Sequence, residues 1–126
     1  MRVLSTFDEF RHAITAYRLP RVLIAAIELD LFTAIGTEAW AIPDLARNMK
    51  VSERGLAILC RNLAMAGLLK KQGKIYRNSR LSATALNARH PAYRGDYLRL
   101  ITSHWADWGR LPESVKSGLP LDHDKT

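Results

Sequence analysis

Residues 45–76 read LARNMKVSERGLAILCRNLAMAGLLKKQGKIY. Leu45, Ala46 and Met49 recur at helical spacing, and Lys50-Val51 predicts a turn. Ser52 is a residue type that caps a helix by accepting a backbone N–H. Beyond it, Leu56, Leu59, Cys60 and Leu63 form a second apolar stripe, predicting a helix to about Ala66 that Gly67 ends. Leu68-Leu69-Lys70-Lys71 and Lys74-Ile75-Tyr76-Arg77 flank Gln72-Gly73, the signature of a tight hairpin. Helix, turn, helix and two-stranded wing together make a winged helix-turn-helix. Such a unit either reads DNA or holds proteins together, and the flanking sequence bears on which.

Upstream, Thr6-x-x-Glu9 has the form of a capping box, and Phe7, Phe10, Ile14 and Tyr17 follow as one apolar stripe. Leu19-Pro20 is expected to end that helix, with the proline opening the next one. The second segment, RVLIAAIELDLFTAIG, leaves almost no polar face: only Arg21, Glu28 and Asp30 are charged. A helix apolar nearly all round must be buried nearly all round. A chain of 126 residues has a high surface-to-volume ratio, so a partner subunit is the natural source of the missing cover, the alternative being a central core helix of the monomer. Gly36 stops the segment, and Ala39-Trp40-Ala41 reads as a short strand before the helix that begins at Pro43-Asp44.

Downstream, Ser82 to Ala88 predicts a short helix ended by His90-Pro91. Tyr93, Tyr97, Ile101, Trp105, Trp108, Leu111 and Val115 then recur every three or four residues, predicting a long aromatic-rich helix. Gly109 and Pro112 predict a break or kink near residue 110. The expected organisation is one mainly helical domain over residues 1–118 and a linker or ragged end over 119–126.

The net charge of +7 is unevenly placed. Residues 1–50 sum to zero, while Arg54 to Arg94 holds nine cations and no acid. That stretch favours an anionic partner or a solvated basic face. A single cysteine, Cys60, excludes an internal disulfide framework, and its place on the apolar stripe makes it a core residue. No run reaches the roughly 18 apolar residues of a membrane span, and the N-terminus lacks a signal-peptide core, so a cytoplasmic location is expected.

Chemistry-bearing motifs are scarce. The seven glycines are scattered singly, which gives no phosphate or dinucleotide loop. His12, His90, His104 and His123 lack metal-ligand spacing with one another or with Cys60. No catalytic, cofactor-binding or metal residue is therefore assigned. Tyr97, Trp105 and Trp108 read either as a helix-packing stripe or as a wall for an aromatic small molecule.

The runs IAAIELDLFTAI and IPDLARNMKVSERGLAILCRNLAMAGLLKKQGKIYRNS, in that order, resemble the N-terminal dimerisation domain of S-adenosylmethionine-dependent small-molecule O-methyltransferases. Ala26, Glu28, Leu29, Leu31 and Phe32 match the family's A-x-E-L-x-L-F helix. Leu45, Ala46, Leu59, Leu63, Gly67, Leu68 and Leu69 match its degenerate winged helix. Trp108, Leu111, Val115 and Gly118 occupy places that match its interdomain segment. The resemblance implies two dimerisation helices ahead of the winged helix and a linker helix behind it. It also implies a homodimer burying Phe7, Phe10, Ile14, Tyr17, Val22, Leu23, Ile24 and Ile27. Tyr97, Trp105 and Trp108 would close one side of an acceptor pocket. S-adenosylmethionine, bound by a Rossmann-like domain that this chain lacks, is implied for the full-length parent only.

The alternative is a DNA-binding regulator, with Glu53, Arg54 and Gly55 at the leading end of a recognition helix and Lys70, Lys71, Lys74 and Arg77 on phosphate. Against it, Ala57, Ile58, Ala64 and Met65 fill much of a helix that would have to read base edges. Weak, salt-sensitive, non-specific binding is the most that this reading leaves to nucleic acid.

Overall fold

The computed structural model describes residues 2–121. In chain order the elements are α1 (Phe7–Thr15), α2 (Arg18–Glu28), α3 (Leu31–Ile35), β1 (Trp40–Ala41), α4 (Ile42–Met49) and α5 (Glu53–Met65). They continue with β2 (Leu69–Gln72), β3 (Ile75–Asn78), α6 (Arg80–Thr84), α7 (Gly95–Ser103), α8 (Trp105–Gly109) and α9 (Leu111–Ser117). The described chain is mainly helical with one small antiparallel sheet, and it forms two compact units, one ending at Tyr93 and one beginning at Arg94.

In the first unit α1 begins where the sequence places it. The Thr6 hydroxyl accepts the Glu9 N–H at 3.1 Å, and the Glu9 carboxylate accepts the Thr6 N–H at 3.0 Å. The Thr6 hydroxyl, and with it the Ser5 hydroxyl and N–H, hold the Glu9 carboxyl below its ordinary value of 4.5. A carboxylate whose pKa falls on folding contributes stability above its unfolded pKa and loses it as pH drops through the lowered value. The start of α1 should therefore fray in acid, read as a loss of amide-exchange protection at Thr6 and Glu9 relative to the intrinsic rate at each pH. Glu9→Gln should keep the helix start at neutral pH and remove its acid sensitivity.

Two breaks depart from the sequence reading. α1 ends at Thr15 rather than at Leu19-Pro20, and Pro20 is the third residue of α2. It is tolerated there because the first N–H groups of a helix have no partner within it. The run RVLIAAIELDLFTAIG is two helices, not one. Leu29 closes α2, and Asp30 takes the left-handed conformation (φ 55°) before α3. Aspartate is one of the few non-glycine residues that visits this region readily.

α3 brings Leu31, Phe32 and Ile35 fully into the core, where Ala26, Leu45, Ala46, Leu56, Cys60, Leu63, Leu69 and Tyr76 meet them. Ser52 caps α5 by accepting the Gly55 N–H at 3.1 Å. The sheet order is β1-β3-β2, with Trp40 opposite Tyr76 and Lys71 opposite Tyr76 on its other side. Gln72 pairs with Ile75, so the hairpin loop is Gly73-Lys74, and Gly73 supplies the positive φ (61°) that such a tight loop needs.

Side chains tie these elements to one another. Asn78 Nδ2 donates to the carbonyls of Phe32 and Gly36, both at 2.9 Å, which closes the C-terminal end of α3. The helix expected from Ser82 starts earlier, at Arg80, because Ser79 caps it. Ser82 is instead buried inside it, donating from Oγ to the Leu68 carbonyl at 2.8 Å.

In the second unit, the stretch that reads as one long helix is three short ones, α7, α8 and α9, interrupted at His104 and Arg110. The break at Arg110 has the expected cause: Gly109 precedes it and Pro112, at the start of α9, lacks the N–H that would continue the ladder. Part of the expected 119–126 end, residues 122–126 with His123, lies outside the described residues.

Candidate functional site

The candidate surface of the first unit is the exposed apolar face of α1. None of its residues is buried: Phe7 is 79% exposed, Phe10 48% and Ile14 59%, and Tyr17 just beyond it is 55% exposed. The Phe7 and Phe10 rings lie 6.2 Å apart between centroids, tilted by 33°. A patch of large side chains on one helix face is more than scattered surface apolarity, and such patches mark interaction sites.

α2 behaves differently. Val22, Leu23, Ile24 and Ile27 are half-buried, and only Ala26 is fully enclosed. Val22, Leu23 and Ile27 pack against the chain's own core. Arg21 reaches along the helix to Glu28, its Nη1 3.2 Å from Oε1. The eight residues named from the sequence thus divide into an uncovered set around α1 and a half-covered set on α2.

Two exposed residues of α5 were read in the sequence only as evidence against base reading. Ile58 is 50% exposed and Met65 81%, on the side away from Leu56, Cys60 and Leu63. Their seven-residue spacing, two helical turns, was the available signal. Between them Asn62 spends its amide on its own helix, donating to the Ile58 carbonyl at 2.8 Å. Arg18, Leu19 and Val22 of α2 line a shallow depression together with Asn62 and Met65. The outward face of α5 therefore has an apolar centre and joins the start of α2.

In the second unit Tyr97 lies on α7, and Trp105 and Trp108 on α8. Tyr97 and Trp108 are open to solvent, Trp105 is half-buried, and the Arg94 guanidinium sits 5.7 Å from the Tyr97 ring centroid. Leu100, Ile101, Leu111, Val115 and Leu119 of this unit are exposed as well.

Cys60 is fully buried, and that burial pushes its thiol up to about 11. At pH 8 only about one thiol in a thousand is ionised, and the thiolate is the reactive form. Iodoacetamide should therefore leave Cys60 untouched in the folded protein and alkylate it in urea, as read by intact mass. Among the described residues, no three His, Cys, Asp or Glu side chains gather as metal ligands. His12 lies 3.8 Å from Asp8 on α1, and His90 Nδ1 accepts the Ala92 N–H at 3.0 Å in the turn at Pro91. No helix among these residues is long and apolar enough to cross a membrane.

A family model described as the O-methyltransferase dimerisation domain matches residues 11–88. The tetracenomycin polyketide synthesis 8-O-methyl transferase TcmO of Streptomyces glaucescens is 36% identical over 100 residues, 78% of this chain and 30% of that protein. Among solved structures, an O-methyltransferase family protein from Burkholderia thailandensis superposes with a TM-score of 0.83 at 28% identity, covering 94% of this chain and 36% of that one. Human N-acetylserotonin methyltransferase, solved in complex with SAM, has the same fold over 94% of this chain and 37% of its own, with a TM-score of 0.74 at 24% identity. The chain thus spans about a third of the length of the proteins it matches.

Proposed function

The chain belongs to the O-methyltransferase dimerisation domain family, and on that premise we propose that its work is assembly. Two copies pair about a two-fold axis, burying Phe7, Phe10, Ile14 and Tyr17 with the half-covered α2 residues Val22, Leu23, Ile24 and Ile27. The observation that carries this reading is α1, none of whose residues is buried and whose large apolar side chains Phe7, Phe10 and Ile14 stay exposed. Obligate homodimer interfaces are more apolar than other surfaces, which supports giving this face that role.

On this reading α4, α5 and the β2–β3 hairpin are a winged helix reused as scaffold. The apolar centre of the outward face of α5 supports that use over base reading. The aromatic second unit forms one wall of an acceptor pocket, with Tyr97, Trp105 and Trp108 against an aromatic acceptor that bears the hydroxyl to be methylated. Residues 1–118 form the module.

S-adenosylmethionine has no fitting residues here, since the seven glycines stand singly as caps, turns and helix positions. Its site, and the base that would activate the acceptor hydroxyl, belong to the part of such proteins that this chain does not span. The single buried thiol suits a cytoplasmic setting. Equilibrium sedimentation tests the assembly: the reading requires twice the chain mass of 14.2 kDa, and a strictly monomeric chain at high concentration would end it.

A further inference from the structure

A second surface of the first unit has a different chemistry from the apolar α1 face. Arg61 from α5 and Lys71 and Lys74 from the hairpin line an open groove of about 620 Å³. Its floor is apolar, made by Pro43, Ala57 and the buried Tyr76, and the Lys71 ammonium stands 5.8 Å above the Tyr76 ring centroid. On the other face of the hairpin Lys70 stands directly opposite Arg77, a like-charged cross-strand pair that costs stability when nothing neutralises it.

The distribution of acids sharpens the point. Asp8, Glu9, Glu28, Asp44, Asp96 and Glu113 each have a basic partner nearby in sequence. Among the described residues, none of the three groove cations is in an ion pair. The nearest acid in sequence to the groove floor, Asp44, is bonded to Arg47. The charged residues that line the groove, Arg61, Lys71 and Lys74, are thus all cationic.

We propose that the groove between α5 and the β2–β3 hairpin docks an acidic, partly apolar segment of a protein partner. Carboxylates of the segment meet Arg61, Lys71 and Lys74, and its apolar side chains rest on Pro43, Ala57 and Tyr76. Complementarity of this kind sets partner choice and association rate. A second copy of this chain fits less well, because its own net charge is +7 and like charges oppose such a contact. Nucleic acid fits less well than protein, because the neighbouring face of α5 presents Ile58 and Met65 rather than hydrogen-bonding groups. None of the groove residues is among those assigned to the two-fold contact, so the inference does not depend on the dimer.

The test titrates the ¹⁵N-labelled chain with a short helical peptide carrying Glu on one face and Leu on the other. The same peptide with Gln for Glu, and a short DNA duplex, are run beside it. Amide shifts should saturate and centre on Ala57, Arg61, Lys71, Lys74 and Tyr76 for the Glu peptide alone. Lys71→Gln with Lys74→Gln should weaken binding about tenfold or more, while Lys70→Gln with Arg77→Gln leaves it nearly unchanged. The mass by sedimentation should be the same for both pairs, which separates this result from any failure of dimerisation. Three results would each overturn the proposal: no saturable shift with the Glu peptide, shifts spread over both faces of the hairpin, or duplex binding as tight as peptide binding.

Discussion

Phe10→Glu will leave a folded monomer at concentrations where the unsubstituted chain is dimeric. Phe10 is 48% exposed on a helix with no buried residue, so the substitution removes nothing from the core of its own unit. In a two-fold interface each substitution acts twice. Full burial of a phenylalanine is worth about 1.5–3 kcal/mol and about half of this ring is still exposed, so two lost rings weaken the dimer by about one to two powers of ten. Burying two carboxylates in apolar surroundings adds to that. Light scattering after size exclusion should read 14.2 kDa with an unchanged circular dichroism spectrum. Leu23→Glu and Ile27→Glu should also weaken the dimer, but with loss of folding stability, since both residues pack on the core.

The second large effect is internal. Asn78→Asp replaces the donor that closes α3 with an oxygen facing two carbonyls, those of Phe32 and Gly36. Asn78 Oδ1 is itself buried with no partner among the described residues, so neither oxygen of the new carboxylate gains a donor. Two lost hydrogen bonds and two under-satisfied carbonyls cost about 3 kcal/mol, which lowers Tm by more than about 10 °C in a unit of this size. Only the protonated aspartic acid can donate, so the folded state raises its pKa. The deficit is smallest in acid and grows as pH rises through the aspartate range. Asn78→Ala should lose a similar amount without that pH dependence. Thermal melts at several pH values separate the two.

Local chemistry made the centre of the fold legible. Ser52, Gly67 and Gly73 mark the start of α5, its end and the hairpin loop by cap and turn geometry, and the structure has all three in those roles. Asp30 was not legible. Its left-handed turn interrupts an apolar run without glycine or proline, and it is set by where Leu31, Phe32 and Ile35 must enter the core. Ser79 and Ser82 are equally good cap residues in sequence. The Leu68 carbonyl, a tertiary partner, decides between them.

The candidate surface was legible as a pattern and not as an exposure. Periodicity identifies Phe7, Phe10 and Ile14 as one stripe, but whether their own chain covers them depends on packing. It leaves all three exposed, whereas Val22, Leu23 and Ile27 are half-buried against the core. Ile58 and Met65 escaped the interface reading because the main stripe of α5 already accounted for that helix.

Intermolecular contacts in dimers mixed from isotope-labelled and unlabelled chain test the central claim most directly. Isotope-filtered nuclear Overhauser spectra should connect Phe7, Phe10 and Ile14 of one copy with α1 and the Val22–Ile27 side of α2 in the other. A dimer whose filtered contacts arise elsewhere, or a sample with none, would contradict assembly through these helices.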